Sequence, residues 1–130
     1  MIQKGTCLNV VDNSGAKIVR CIQVVKGYRN RYANIGDVII ISIKSLRIKR
    51  RLTTKVKKGD VCKALVIRTK SSYKCYGSEE LKFFNNDVVL LSRQDKLLAT
   101  RIFGLVPRTF RFSKYLRIVS LSSGFIRASS

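Results

Sequence analysis

The chain has 130 residues and a mass of 14.8 kDa, which is the size of one domain, and 45% of its residues are hydrophobic. It carries 27 Lys and Arg against 7 Asp and Glu, a formal net charge of +20. This hydrophobic content excludes a disordered basic tail, so the charge is expected on a folded surface that attracts a polyanion, with nucleic acid as the leading partner. An anionic membrane is disfavoured because no basic amphipathic helix is evident, and the apolar run VIIISI at 38–43 is too short to span.

Apolar residues recur with a period of two along much of the chain, which predicts β-strands. Ile39, Ile41 and Ile43, for example, fall on one face of a predicted strand. The other predicted strands are TCLNVV at 6–11, KIVRCIQVV at 17–25, VCKALVIRT at 61–69, LKFF at 81–84 and VVLL at 88–91. The turn residues DNSG at 12–15 predict a hairpin between the first two strands. Gly36-Asp37-Val38 and Gly59-Asp60-Val61 form a weak internal repeat, which predicts two equivalent corners.

Several short strands separated by turns favour a mainly β protein with a small closed barrel over a sandwich. After Pro107, the segment RTFRFSKYLRIVSL predicts one or two short helices packed across the barrel. We expect one domain over residues 1–130. Its barrel would cover about 1–105, its helical tail about 106–121 and a variable end 122–130.

The chain offers little for metal binding or catalysis. It has no histidine and no CxxC pair, so no metal or other cofactor is predicted. Cys7, Cys21 and Cys62 are expected to fill strands as small apolar residues in a reducing compartment, with Cys75 in a loop. The motifs GxSxG, GxxxxGK[ST] and HExxH are absent and the seven acids are dispersed, so neither an enzyme nor an RNA-processing subunit is favoured.

Residues 45–60, SLRIKRRLTTKVKKGD, hold seven Lys or Arg before the first acid, Asp60. Solvated charge runs usually mix signs, so this stretch predicts a loop that binds nucleic-acid phosphates. In GYRNRYAN at 27–34, tyrosines interleave with arginines, an arrangement that suits stacking on unpaired RNA bases or capping of a barrel end. The predicted RNA-binding residues are Lys17, Arg20, Arg29, Arg31, Arg47, Lys49, Arg50, Arg51, Lys55, Lys57, Lys58, Arg68 and Lys70.

Five strings, MIQKGTCLNVVDNSGAK, RYANIGDVI, KVKKGDV, KALVIRTK and TRIFG, occur in this order within residues 1 to about 121. With them the chain resembles the universal protein fourteen family of the large ribosomal subunit, of the bacterial and organellar type. The resemblance implies a five-stranded β-barrel with short C-terminal helices, a structural role in translation and binding to large-subunit ribosomal RNA. It also implies contacts with large-subunit proteins three and nineteen, and with small-subunit ribosomal RNA at intersubunit bridges.

The resemblance implies a second surface. In the family, the TRIFG strand end and a basic residue of the last helix contact a ribosome-silencing factor. The matching positions here are Thr100, Arg101 and Arg117. These three residues are therefore expected to form an intersubunit or factor-binding surface.

Three features depart from the family pattern. The segment SLRIKRRLTT is longer than usual, Tyr76-Gly77 precedes a longer SEELK, and the chain ends in SSGFIRASS. These departures, and the richness in Ile, Lys, Asn, Phe and Tyr, favour a divergent organellar ribosome. The N-terminus starts flush with the family's own and lacks a secretory or transit signal, which favours a gene expressed inside the organelle, with a mitochondrion as the first choice. Plastid stroma and bacterial cytoplasm are the alternatives. The alternative function is a free-standing basic RNA-binding barrel of the nucleoid or RNA-chaperone type, which would bind many RNAs and lose them with salt.

Overall fold

The computed structural model describes residues 2–25, 27, 31–47, 56–71, 73–74, 80–107, 110, 115 and 117–126. Five strands form a closed barrel in the order β1-β2-β3-β4-β7, and all neighbours are antiparallel except β1 and β7, which are parallel. The barrel strands are β1 (Cys7–Val10), β2 (Ala16–Val24), β3 (Val38–Leu46), β4 (Val61–Arg68) and β7 (Asp87–Leu91). The expected closed five-stranded barrel is thereby confirmed.

In the part of the chain that the structure describes, four further strands and one helix lie outside the barrel. They are β5 (Tyr73–Lys74), β6 (Glu80–Leu81), β8 (Ile102–Pro107), α1 (Arg117–Leu121) and β9 (Ser122–Ile126). β5 and β6 form an antiparallel hairpin, and β8 and β9 form a parallel pair. None of the helices in the described residues is long and apolar enough to cross a membrane.

The DNSG turn joins β1 and β2 as an antiparallel hairpin, as predicted. Gly15 has φ of 105°, a left-handed conformation that glycine adopts without penalty. The Asp12 carboxylate is buried and accepts hydrogen bonds from the backbone N–H of Ser14 at 3.1 Å and of Leu90 at 2.9 Å. Burial raises the pKa of Asp12, while these bonds and the charge of Arg47 act in the opposite direction. The turn is therefore anchored to β7 as well as to its own hairpin.

The two predicted corners have the same hydrogen bonds. At the first, the N–H of Asn34 donates to the Asp37 carboxylate at 2.7 Å; at the second, the N–H of Lys57 donates to the Asp60 carboxylate at 2.9 Å. The aspartate N–H returns a bond to the carbonyl three residues earlier in both cases. The intervening glycines have φ of 92° and 90°. The internal repeat thus marks equivalent turns at the starts of β3 and β4, as predicted.

Two hydrophobic clusters pack on opposite sides of β4 and β7. The barrel interior includes Ala64, Val66, Val88 and Leu90 from these strands. The residues between them face outward into the second cluster, which contains Leu65, Ile67, Val89, Leu91, Ile102, Val106, Phe110, Tyr115 and Ile118. The C-terminal segment therefore covers the outer surface of β4 and β7, which we call the covered face.

Two expectations about secondary structure need correction. In LKFF only Leu81 is in a strand, because the chain then turns back to the barrel: the Phe83 N–H donates to the Thr69 carbonyl at 3.1 Å. Near the C-terminus the described residues contain one short helix, α1, as expected, but they also contain β8 and β9, which were not among the strands predicted from the period of two. The barrel closes at Leu91 and β8 lies against its outside, since β8 pairs with β9 rather than with a barrel strand.

Candidate nucleic-acid interface

The outward-facing side of β1, β2 and β3, which we call the open face, carries exposed residues on each of the three strands. Arg20 pairs with Cys7 on one side and Ser42 on the other, and it is exposed. Lys17 and Lys44 are also exposed along β2 and β3. The strand period explains this arrangement, because neighbouring apolar residues such as Val19 and Ile43 point into the barrel.

The structure separates the predicted RNA-binding residues into three groups. The first group is exposed: Lys17, Arg20, Arg31, Lys57, Lys58 and Lys70. The second group, Arg47 and Arg68, makes contacts within the chain. The third group, Arg29, Lys49, Arg50, Arg51 and Lys55, lies outside the described residues. Lys44 was not in the predicted set, although its place at the solvent face of an alternating strand was a signal for it.

Lys57 and Lys58 lie at the corner before β4. The backbone of this corner is fixed by the Lys57 N–H bond to Asp60, while both lysine side chains are exposed. Two adjacent cations on a rigid turn suit a phosphate backbone, because little backbone freedom is lost on binding.

The tyrosine and arginine stretch is described from Arg31 onward. Ala33 is buried and exchanges backbone hydrogen bonds with Ile2 at 2.9 and 2.6 Å. Arg31 is exposed and Tyr32 is 47% exposed, so the tyrosine ring is partly available to a ligand on a fixed backbone. Tyr28 lies outside the described residues.

Arg47 directly follows β3 and contacts two other elements. Its Nη2 donates to the Val10 carbonyl at 2.9 Å, and its guanidinium carbon lies 5.6 Å from the centroid of the Phe103 ring. Its backbone N–H donates to the Gly15 carbonyl at 2.9 Å. These contacts hold the end of β3 against β1 and β8.

Arg68 joins the barrel to β8 from the end of β4. Its Nε lies 2.7 Å from Asp87 Oδ2, and its Nη1 and Nη2 donate to the carbonyls of Leu105 at 3.1 Å and Phe103 at 3.0 Å. Both charged side chains are largely buried, at 11% and 8% exposed. Burial raises the pKa of Asp87, and the charge and hydrogen bond of Arg68 oppose that shift. A side chain on Gly104 would collide with the Arg68 guanidinium.

Asn13 connects the DNSG turn to Thr100 and Arg101. Its Nδ2 donates to Thr100 Oγ1 at 3.0 Å, and its Oδ1 accepts from the N–H of Thr100 at 3.0 Å and of Arg101 at 3.2 Å. Both residues are exposed and immediately precede β8. Exposed Arg117 begins α1, which packs against β8. Sequence reasoning treated Asn13 only as a turn residue; its hydrogen-bonding side chain was the available signal.

The thiols have no ligand-like arrangement, since the described residues contain no cluster of three or more Cys, Asp or Glu that could hold a metal. Cys7 is exposed, Cys21 is buried and Cys62 is half-buried, each within a barrel strand as expected. Burial, with smaller contributions from the charges of Asp60 and Asp12, raises the pKa of Cys62 to about 11. Cys75 lies outside the described residues.

Comparison with known families agrees with this architecture, since residues 1–126 match the family described as ribosomal protein L14p/L23e. The chain belongs to this family. It is also 40% identical over 126 residues to the large ribosomal subunit protein uL14 of Carsonella ruddii (strain PV), an alignment that covers 97% of this chain and the whole of that relative. The protein is therefore a structural constituent of the large ribosomal subunit and not an enzyme.

Proposed function

We propose that this ribosomal protein binds large-subunit ribosomal RNA through the exposed cations of the open face and of the corner before β4. The main support is the asymmetry of the barrel. One outer surface is buried beneath β8, α1 and the tail, whereas the other presents Lys17, Arg20 and Lys44 to solvent. In a chain of charge +20, that exposed row of cations on rigid strands is available to a polyanion.

Binding of this kind follows from charge neutralisation. Lysine and arginine displace the counterions condensed on RNA, and each arginine can also form two parallel hydrogen bonds with one phosphate. Contacts to phosphate fix position and orientation but do not read sequence. The closed barrel supports this role because it holds the cations on rigid strands and corners.

We assign Arg47 and Arg68 to the support of β8 rather than to RNA contacts. Each uses its guanidinium to bind backbone carbonyls of other elements, and Arg68 also pairs with Asp87. A phosphate would have to displace these contacts. Lys49, Arg50, Arg51 and Lys55 remain proposed phosphate ligands from the sequence.

The cluster within 48–55 can be tested without disturbing Arg47. We expect the triple variant Lys49→Gln, Arg50→Gln, Arg51→Gln to fold with an unchanged circular dichroism spectrum and to enter large subunits less efficiently. The matched control is Arg93→Gln with Lys96→Gln, which removes exposed cations elsewhere. Normal incorporation of the triple variant would exclude phosphate binding by this stretch.

We also propose that Thr100, Arg101 and Arg117 form the intersubunit or factor-binding surface, with a ribosome-silencing factor as one partner. Their exposure, and the fixing of Thr100 and Arg101 by Asn13, support a role in binding a partner. The variant Arg101→Glu, Arg117→Glu is expected to enter large subunits normally and to impair subunit joining or factor binding. Loss of incorporation would instead assign these residues to ribosomal RNA.

The remaining partners and the compartment are proposals from the family resemblance and the composition. They include large-subunit proteins three and nineteen, small-subunit ribosomal RNA at bridges, and a mitochondrial ribosome. The similarity to a bacterial relative does not favour a mitochondrion over plastid stroma or bacterial cytoplasm. Fractionation of the source cells, followed by immunoblotting of purified organelles, tests the mitochondrial proposal directly.

The test of the central proposal is sedimentation of a gentle lysate that contains the tagged protein. At high magnesium we expect the protein with monosomes, and at low magnesium we expect it only on large subunits. Crosslinks from Lys17 and Arg20 should then map to large-subunit ribosomal RNA. A protein that stays near the top of the gradient, or spreads over all RNAs, would instead support the free-standing RNA-binding barrel.

A further inference from the structure

Phe84, in the segment between β6 and β7, is 95% exposed. The other exposed large hydrophobic residues in the described part of the chain have exposed fractions between 37% and 64%. Single exposed apolar residues are common on protein surfaces, so exposure alone does not assign a role. A phenylalanine with nearly its whole ring in water, on a surface dominated by cations, nevertheless offers a flat apolar face to a ligand.

The backbone around Phe84 is fixed at both sides. The preceding residue, Phe83, donates its N–H to the Thr69 carbonyl at 3.1 Å, and its side chain packs against the second hydrophobic cluster. Two residues later, Asn86 Oδ1 accepts a hydrogen bond from the Lys70 N–H at 2.9 Å. The exposed ring is therefore presented from a segment anchored to the end of β4.

The surroundings of Phe84 are polar and basic. Lys82 and Lys70 are exposed. Lys82 lies two positions before Phe84, and Lys70 lies two residues after β4, where its N–H bonds to Asn86 of this segment. The exposed side chain of Asn85 lines an open groove that continues to Asn9 and Lys17. Of the nearest acids in the sequence, Glu80 lies in β6, four residues before Phe84, and Asp87 is buried and paired with Arg68.

We propose that Phe84 is a stacking platform for an unpaired base in a single-stranded segment of RNA. Lys70 and Lys82 would neutralise the flanking phosphates, and the strand would continue past Asn85 towards Lys17. Base stacking on an aromatic ring beside cations is the usual mode of single-strand recognition, and it tolerates different base sequences.

A single ring favours RNA over a protein partner at this position. Stable protein interfaces bury roughly 800 Å² on each side around a contiguous apolar centre. Among the residues that the structure describes, Phe84 lacks such a setting, since its neighbour Phe83 packs inward and Asn85 is polar and exposed. The area of one ring, by contrast, matches that of one base. This inference rests on the proposed binding of ribosomal RNA and names one place and one kind of nucleotide for it.

The test compares the binding of purified full-length protein to an unstructured RNA of roughly a dozen nucleotides and to a duplex of the same length. Phe84→Ala is expected to weaken single-strand binding by between about fivefold and about a hundredfold while leaving duplex binding unchanged. Phe84→Trp should retain binding, and Phe84→Leu should behave like Phe84→Ala because it keeps apolar area but no aromatic face. Thermal unfolding of each variant should match that of the parent protein, since the ring is not packed.

The salt dependence of RNA affinity separates the contribution of base stacking from that of phosphate neutralisation. The slope of log affinity against log salt should be unchanged in Phe84→Ala, whereas Lys70→Gln and Lys82→Gln should each reduce its magnitude by about 0.7. Quenching of a fluorescent base analogue in the single strand should disappear in Phe84→Ala and persist in Phe84→Trp.

Three outcomes would overturn the inference. Full single-strand binding by Phe84→Leu would show that an aromatic face is not needed, and equal losses on single strand and duplex would exclude recognition of unpaired bases. Normal RNA binding by Phe84→Ala, with loss of a neighbouring protein from isolated large subunits, would assign the ring to a protein contact. In each case the parent protein still sediments with large subunits, whereas failure of the parent protein to do so would contradict the proposed function itself.

Discussion

The open and covered faces belong to one closed barrel, yet the sequence marks them differently. Along β2, buried residues are interspersed with exposed ones such as Lys17 and Arg20, because only the barrel side of this strand is packed. In β7 all five residues are buried, because the barrel interior lies on one side and the C-terminal segment on the other. Strand periodicity therefore identifies the surface that is left for a ligand, and continuous apolar runs identify the surface that the protein covers itself.

The two faces also use arginine for different purposes. Arg20 is exposed on the open face, whereas Arg68 is largely buried, pairs with Asp87 and binds two carbonyls of β8. Residue type and local sequence do not separate these roles, since both arginines follow apolar strand residues. Burial decides between them: a buried guanidinium must be paired, while an exposed one is free to meet a phosphate.

The largest expected effect comes from the covered face. Arg68→Met should lower the free energy of unfolding by about 3–5 kcal/mol, because Asp87 would remain buried without its partner. The matched control, Arg20→Met on the open face, should change it by less than about 0.5 kcal/mol. Urea unfolding followed by circular dichroism measures both, and equal effects would contradict the distinction between the faces.

The pH dependence of the stability lost in Arg68→Met tests whether the unpaired Asp87 carboxylate causes that loss. Burial raises the pKa of Asp87, and loss of Arg68 should raise it further, so the folded variant should hold this proton more tightly than the unfolded chain. Such a group stabilises the fold below its unfolded pKa, and that contribution is lost as pH rises through its folded pKa. The deficit should therefore be smallest in acid and grow as pH rises, and Asp87→Asn in the same chain should remove this dependence.

A smaller effect is expected from the glycine that contacts Arg68. Gly104 has φ of 85°, and a Cβ there would collide with the guanidinium, whereas Gly36 has φ of 92° with nothing within 4 Å of its Cβ position. Gly36→Ala should cost about 1–2 kcal/mol from backbone strain alone. Gly104→Ala should cost about 1–3 kcal/mol more because the Arg68 side chain must move. Equal melting temperatures for the two variants would show that Arg68 adapts without loss.

A smaller loss of stability is expected from Asn13, whose side chain holds the proposed partner surface at Thr100 and Arg101. Asn13→Ala removes three side-chain hydrogen bonds to Thr100 and Arg101 and should cost about 1–2 kcal/mol, since the site is exposed and water replaces part of the loss. Gln23→Ala, at an exposed position of β2, is the control and should cost less than about 0.5 kcal/mol. Asn13→Ala should also bind RNA normally but impair subunit joining. Intact joining would show that Thr100 and Arg101 do not need the hydrogen bonds from Asn13.

The smallest perturbation is chemical labelling of the thiols, which should not alter the fold at low modification. Of the three thiols that the structure describes, Cys7 on the open face should react with iodoacetamide first near neutral pH. Cys62 should react slowly because burial raises its pKa to about 11 and little thiolate is present, and burial also raises the pKa of Cys21. Peptide mass spectrometry gives the order, and unfolding in urea should remove the differences. Equal rates in the native protein would contradict the assigned burial.

The sequence predicted the structural features that are set by residues close together in the chain. Alternation in β2 and β3, the DNSG hairpin and the two Gly-Asp corners were all recognisable, because turn geometry and strand period act over a few residues. The ordered strings identified the family. Where prediction failed, long-range contacts decided the outcome: Phe84 lies in no strand because its segment bonds back to Thr69 and Lys70.

By itself, then, the sequence determined that this protein is a basic, mainly β member of a ribosomal protein family, with cations on alternating strand positions. Tertiary structure alone decided which cations remain available. Arg47 and Arg68 contact β8, which lies 35 or more residues away in the chain, while Lys17 and Arg20 face solvent. The same tertiary pairing made the variable end into β9, because a strand needs a partner that local sequence does not specify.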